Sequence, residues 1–132
     1  MNSLFPDSIA KPFGRYAHGT VFGGRILRTS GQLPLGRDGN VPQAVEAQTD
    51  LCFANIDAIL KEGGMDRSHI VHLAAYVTRR EDMAAYMSAR DRYLVDIAPD
   101  SVPASTLMIV SGFTRPEFLV EIEAMAAIPD QK

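Results

Sequence analysis

Two apolar segments near the carboxyl end of the chain constrain its fold more than any other feature. The first is Pro103–Phe113 and the second is Phe118–Ala124. In the second segment, Glu121 and Glu123 alternate with apolar residues, and a period of two is typical of a strand that buries one face. The sequence therefore predicts two strands here, with both carboxylates on the face opposite the buried one.

Periodicity elsewhere predicts three more strands and two helices. The strands are Tyr16–Phe22, Arg25–Ser30 and Ile70–Thr78, and the helices are Gln43–Glu62 and Glu81–Ile97. Gly23 and Gly24 favour a two-residue hairpin turn between the first two strands, because glycine tolerates positive φ. The element order is then β-β-α-β-α-β-β. It predicts an α+β fold in which two helices pack on one face of a mixed sheet, within a single domain over residues 1–132.

The sheet face away from the helices also has to be covered. Five apolar side chains are expected there, and they are Val71, Leu73, Val77, Leu107 and Ile109. An apolar area of that extent marks an interaction surface. We therefore expect the chain to associate with itself.

Composition excludes several classes of partner. The net charge is −3, from 13 basic and 16 acidic residues, so no basic footprint for nucleic acid is expected. No apolar run approaches the roughly 20 residues that span a bilayer, so no membrane partner is expected. The single cysteine, Cys52, suits a reducing compartment, and we expect a cytoplasmic protein. His69 and His72 face opposite sides of a strand, so no metal is expected.

Four short motifs occur in order along the chain. They are Phe13–Tyr16, Thr29–Gln32, Pro103–Ala104 and Glu121–Ala124. Together with the element order, they resemble the Rid family, the reactive-intermediate imine deaminases formerly called the YjgF group. The resemblance covers nearly the whole chain. It implies a chorismate-mutase-like fold and a homotrimer, with ligand clefts between neighbouring subunits, in which imines or enamines are hydrolysed without a cofactor.

The resemblance also assigns roles to individual residues. By position, Glu121 would hold the attacking water, Ser30 and Gly31 would present hydrogen-bonding groups, and Tyr16 would close the cleft. Ser105 stands where the family deaminases carry an arginine that binds the substrate carboxylate. A charge-assisted hydrogen bond contributes about 1.5–3 kcal/mol, so a carboxylate ligand should lose at least a decade of affinity. Ser105 is therefore expected to line the cleft rather than to act as a catalyst.

Alternatives stay open for several of these residues. Glu121 is either a general base in a cleft or part of a solvated acidic edge. Arg28 is either a relocated cation that serves the cleft or a surface arginine at a sheet edge, and Arg115 is open to the same two interpretations. Leu107 and Met87 are further departures from the family pattern.

Two functions are compatible with these residues. In the first, the trimer binds a small metabolite and Glu121 positions water for hydrolysis of an imine or enamine. Deamination of the usual 2-imino acids is disfavoured by Ser105. In the second, the same trimer is a non-catalytic sensor of a small molecule, or a module that regulates a partner.

Overall fold

A computed structural model describes residues 1–130, and the last two residues of the predicted domain 1–132 lie outside this range. The strands are β1 (Asn2–Leu4), β2 (Gly19–Val21), β3 (Arg25–Arg28), β4 (Ile70–Val77), β5 (Ala104–Ile109) and β6 (Val120–Ile128). The helices are α1 (Val45–Glu62) and α2 (Met83–Tyr93). That the chain forms a single domain stays a prediction.

The main sheet has four strands in the order β3-β6-β4-β5. Strands β4 and β5 are parallel, and the other neighbours are antiparallel, so the sheet is mixed. Both helices pack on one face, where their buried side chains form one cluster with those of β4 and β6. The predicted fold class is confirmed.

The buried face of β6 is the predicted one. Its members are Val120, Ile122, Ala124 and Ala126, and all four belong to the cluster beneath the helices. Apolar residues at every second position place one whole side of the strand in the core. Glu121 and Glu123 consequently lie on the sheet face away from the helices, which we call the open face.

Both helices lie where periodicity predicted them. Helix α1 ends at Glu62, and Gly64 then adopts a φ of 75°, which glycine tolerates without strain. Helix α2 is shorter than predicted, because Arg80–Asp82 forms a separate 3₁₀ turn ahead of it. Beyond its end, Nη2 of Arg15 donates hydrogen bonds to the carbonyls of Leu94 and Ile97. Arg15 thereby satisfies carbonyls beyond the end of the helix, where backbone acceptors commonly lack intrahelical partners.

The predicted pairing of the first two strands is wrong. Strand β2 pairs with β1 in a separate two-stranded sheet, whereas β3 pairs with β6, so Gly23 and Gly24 do not close a hairpin. Strands β5 and β6 are consecutive in sequence, but β4 lies between them. Glycine at a turn permits a reversal of the chain, but it does not decide which strands then pair.

The prediction for the open face is wrong for Leu73, Val77 and Leu107. Leu73 and Val77 belong to the cluster beneath the helices, and Leu107 packs against it. The open face instead carries polar pairs. The hydroxyl of Tyr76 donates to Glu123 at 2.7 Å, and His72 lies 3.3 Å from the hydroxyl of Thr106. Leu73, Ala75 and Val77 share the helix side because residues two apart in a strand point to the same face.

Candidate functional site

The segment that follows β3 approaches the carboxylate of Glu121. Thr29 pairs with Ala124 through its backbone N–H, and Gln32 pairs with Ile122 through two backbone hydrogen bonds. Ser30 and Gly31 thus oppose Glu123 alone, which makes the segment a β-bulge. Bulges redirect the chain locally, and this one places Gly31 directly against the side chain of Glu121.

Gly31 and Glu121 fit together closely. A Cβ atom built on Gly31 would lie 2.6 Å from Oε1 of Glu121 and 2.7 Å from its Cδ. The absence of a side chain at position 31 therefore provides the space that the carboxylate occupies. The structure brings together two of the residues predicted for the site.

The surroundings of Glu121 favour its protonated form. Burial raises the pKa of Glu121 above its ordinary value, and the negative charge of Glu123 raises it further. The carboxylate of Glu123 in turn accepts the hydrogen bond from the Tyr76 hydroxyl, and this bond raises the pKa of Tyr76. A partly desolvated carboxylate with a raised pKa is a stronger base than an exposed carboxylate.

Arg28 lies on the same side of the molecule as this carboxylate pair. It is exposed, it pairs with Met125 of β6, and its positive charge opposes the rise in the Tyr76 pKa. Its place near Glu123 is compatible with both predicted roles. Whether Arg28 serves a ligand stays a prediction.

Tyr16 and Ser105 line a separate cavity of about 220 Å³ between α2 and β5. Its wall consists of Phe13, Tyr16, Met83, Met87, Arg90, Ser105 and Leu107. Tyr16 lies outside the strands, where a bridge between Ala17 and Ala104 holds it beside the start of β5. The rings of Phe13 and Tyr16 meet edge to face at 5.8 Å.

The sequence interpretation did not identify Arg90, which is 3% exposed. Its Nε donates to Asp91 at 3.1 Å, and Nη1 reaches the hydroxyl of Ser105 at 3.4 Å. Its guanidinium also lies 5.1 Å from the centre of the Tyr16 ring. Within residues 1–130, Nη2 has no hydrogen-bond partner.

A signal for Arg90 is present in the sequence. It follows Tyr86 by four residues and precedes Leu94 by four, so it falls inside the apolar stripe that buries α2. A charged residue in such a stripe has to be paired, solvated or functional. A sequence interpretation that considers only the apolar residues of this helix face therefore overlooks Arg90.

The two groups of predicted site residues do not meet within one chain. Glu121 and Gly31 lie where β6 meets the continuation of β3, whereas Tyr16 and Ser105 lie beside β5. Strands β3 and β5 form opposite edges of the sheet. A site that contains both groups therefore needs the β5 side of one chain and the β3 side of another.

A larger cavity of about 430 Å³ lies beneath the amino-terminal segment, between Phe5 and Val102. In residues 1–130, no cluster of three or more His, Cys, Asp or Glu side chains could hold a metal ion. None of the helices in this range is long and apolar enough to cross a membrane. Cys52 is buried in α1, and burial raises its pKa to about 12.

Known proteins resemble this chain over nearly its full length. A family model described as Endoribonuclease L-PSP matches residues 7–128. The RutC family protein PM1466 of Pasteurella multocida is 29% identical over 124 residues, which cover 93% of this chain and 95% of that protein.

Solved structures give the same result. The protein YyfB of Yersinia pestis, described as a Rid family member of unknown function, has a TM-score of 0.84 and 27% identity, covering 97% of this chain and 100% of that one. TdcF of Escherichia coli, solved with bound serine, has a TM-score of 0.72 and 25% identity, covering 89% of this chain and 91% of that one.

Proposed function

The chain belongs to the Rid family, whose matching model is described as Endoribonuclease L-PSP, and we propose that it forms a homotrimer that hydrolyses a small imine or enamine in clefts between its subunits. One observation carries this proposal. Glu121, a carboxylate with a raised pKa, lies on β6, toward the β3 side of the sheet, whereas the cavity beside Ser105 lies at the opposite edge, formed by β5. Cyclic assembly would bring the two edges of neighbouring chains together.

The open face supports assembly. It combines polar pairs, such as Tyr76 with Glu123, with large apolar side chains. Met108 is 48% exposed and Ile26 is 54% exposed, and both lie on strands at the sheet edges. Closed symmetry covers such surfaces without leaving a free edge.

The proposed reaction needs only a base and a held water. Water adds to the carbon of the C=N bond while the Glu121 carboxylate accepts a proton from it. That proton passes to nitrogen and gives a carbinolamine. Its hydroxyl proton is then also transferred to nitrogen as the C–N bond breaks, and a carbonyl compound and an amine or ammonia leave. The backbone of Ser30 and Gly31, which follows β3 and lies next to this carboxylate, would orient the substrate. General-base catalysis of this kind contributes roughly 10²–10⁴-fold in rate.

A small metabolite fits this site better than a nucleic acid. The family description names an endoribonuclease, but the net charge here is −3, which opposes the approach of a polyanion. The cavity is also below the roughly 300–1,000 Å³ typical of ligand pockets, so one chain supplies space for a small molecule only. The serine bound to TdcF is a molecule of that size class.

The assay for this proposal is direct. Freshly generated imines, one without a carboxylate and the 2-imino acids 2-iminopropanoate and 2-iminobutanoate, are mixed with the protein, and carbonyl product is measured against buffer alone. Wild type should accelerate hydrolysis of at least one of them, and Glu121→Gln should lose most of that acceleration while keeping its assembly in light scattering. A wild-type rate equal to buffer for every imine, or a monomer in solution, would refute the proposal.

A second candidate is binding without turnover, as a sensor or regulatory module. Its support is the wall of the cavity, where Phe13, Met83, Met87 and Leu107 are apolar and offer no acid or base. If Glu121→Ala leaves the biological effect of the protein unchanged, this second function replaces the first. Loss of the effect together with loss of hydrolysis favours the enzyme.

A further inference from the structure

A buried guanidinium lies in the wall of the cavity between α2 and β5. Arg90 is 3% exposed, and its one ion-pair partner in the described chain is Asp91, whose side chain is 38% exposed. Burying a charge costs several kcal/mol unless it is paired and hydrogen-bonded. A single contact to a half-exposed neighbour leaves the pairing of Arg90 incomplete.

The unused part of Arg90 is the part that recognises carboxylates. Nε is engaged by Asp91, so the edge formed by Nη1 and Nη2 is left. Nη1 makes only the long contact with Ser105, at 3.4 Å, and no atom of residues 1–130 accepts a hydrogen bond from Nη2. Two parallel N–H groups on one edge match the two oxygens of a carboxylate.

Neighbouring groups extend this polar end of the cavity. The buried hydroxyl of Tyr86 lies close to the hydroxyl of Ser105, and a hydrogen bond between them opposes the rise in the Tyr86 pKa. Burial nevertheless raises the pKa of Tyr86 to about 12, so it stays neutral at physiological pH. Gly14 allows Nη2 of Arg90 to pack against the backbone, because a side chain at position 14 would overlap Nη2. A buried cation with an incompletely paired guanidinium favours an anion beside it.

We infer that Arg90 binds the carboxylate of a small ligand in this cavity, and that the rest of the ligand is a short apolar chain. The polar end supplies Arg90 and Ser105, whereas Met83, Met87 and Leu107 form the apolar wall. The cavity of about 220 Å³ excludes a large ligand. This inference names the ligand class of the proposed cleft. It rests on the proposed function in one respect, namely that the cavity is part of that cleft.

Ser105 fits this role of Arg90. The Ser105 hydroxyl is 3.4 Å from Nη1, so a cation at position 105 would stand beside the Arg90 guanidinium and repel it. A small neutral residue at 105 and an arginine at 90 are therefore complementary. The guanidinium of Arg90 reaches the cavity from α2, whereas an arginine at the family position, 105, would reach it from β5.

Methionine methyl groups report directly on this cavity. Met83 and Met87 line it, whereas Met65 is buried in the core and Met108 is exposed on β5. With ¹³C-methyl methionine, the full chain is titrated with butanoate and, separately, with butanamide at the same ionic strength. Butanoate should shift Met83 and Met87 selectively, and butanamide, which has the same shape without the charge, should bind at least tenfold more weakly.

Variants assign the effect to Arg90. Arg90→Met should weaken butanoate binding roughly tenfold or more, as expected for a lost charge-assisted hydrogen bond. Arg92→Met is the matched control, because Arg92 lies on the same helix but pairs with Asp50 at the surface. The control should bind butanoate as wild type does.

A charge swap keeps the test decisive if Arg90→Met does not fold. Ser105→Arg alone should lower stability through repulsion, and Arg90→Ser with Ser105→Arg should restore both folding and butanoate binding from the opposite wall. Equal binding of butanoate and butanamide by wild type, or unchanged affinity in folded Arg90→Met, would overturn the inference. Butanoate binding needs no turnover, so absent imine hydrolysis would refute the proposed function alone.

Discussion

The carboxylate of Glu121 occupies the space that a Cβ atom on Gly31 would need, with Oε1 2.6 Å from that position. The two residues are far apart in sequence, and a β-bulge after β3 brings them together. The position of the Glu121 carboxylate therefore depends on Gly31, which has no side chain.

Gly31→Ala should therefore reduce hydrolysis while the protein stays folded. The overlap is with the end of a flexible side chain, which can rotate away, and Gly31 does not have a positive φ. A displacement of about 1 Å at a catalytic group costs up to roughly 10²-fold in rate. The measurement is kcat/KM together with a thermal melt. Gly23→Ala, which meets no atom within 4 Å, is the control and should retain full activity.

Glu123→Gln should extend activity to lower pH. The negative charge of Glu123 is one of two causes that raise the pKa of Glu121, and burial, the larger cause, remains in the variant. Removing the charge lowers the pKa of Glu121, so its basic form persists further into acid. The acidic limb of the pH–rate profile should move to lower pH. A limb that does not move would show that another group controls the rate.

Glu121→Gln should stabilise the fold at neutral pH. Because the pKa of Glu121 is raised above 4.5 in the folded chain, the folded state binds this proton more tightly than the unfolded state. The ionised carboxylate thus lowers stability above the folded pKa, and this cost disappears as pH falls below 4.5. Urea unfolding should show a more stable variant at pH 8 and equal stability at pH 4. Lower stability of the variant at pH 8 would contradict the assigned direction.

Gln48→Leu should destabilise the chain by about 3 kcal/mol, since it leaves buried backbone groups without partners. Gln48 donates to the carbonyls of Pro42 and Glu117 at 2.8 Å and accepts from the N–H of Leu119. It thereby ties α1 to the segment that leads into β6. Denaturant unfolding measures the loss. Gln43→Leu, at an exposed position, should change stability little.

Local patterns predicted the elements, whereas pairing depended on distant parts of the chain. The alternation around Glu121 predicted both the strand and its buried face, because side-chain direction in a strand is a local property. The turn at Gly23 and Gly24 gave no information on partners, and β2 pairs with the amino-terminal strand β1. The same limit applies to β5, which pairs with β4 in parallel.

The candidate site was predictable in part for a similar reason. Glu121 and Gly31 were named by motif, and the structure places them in contact. Arg90 was missed because it belongs to no recognised motif, and its burial depends on the packing of α2 over β5. The sequence indicates Arg28 or Arg115 as a cation that could serve the cleft in place of the family arginine. In the structure, Arg90 lies within reach of Ser105.

The order β3-β6-β4-β5 also has a genetic consequence. In the proposed trimer, each cleft takes Glu121 from one subunit and Arg90 from another. Two inactive versions of the chain, one altered at each residue, would then complement each other when they are produced together. Some clefts of a mixed trimer would contain both an intact Glu121 and an intact Arg90. Activity would then return although no single chain carries a complete site.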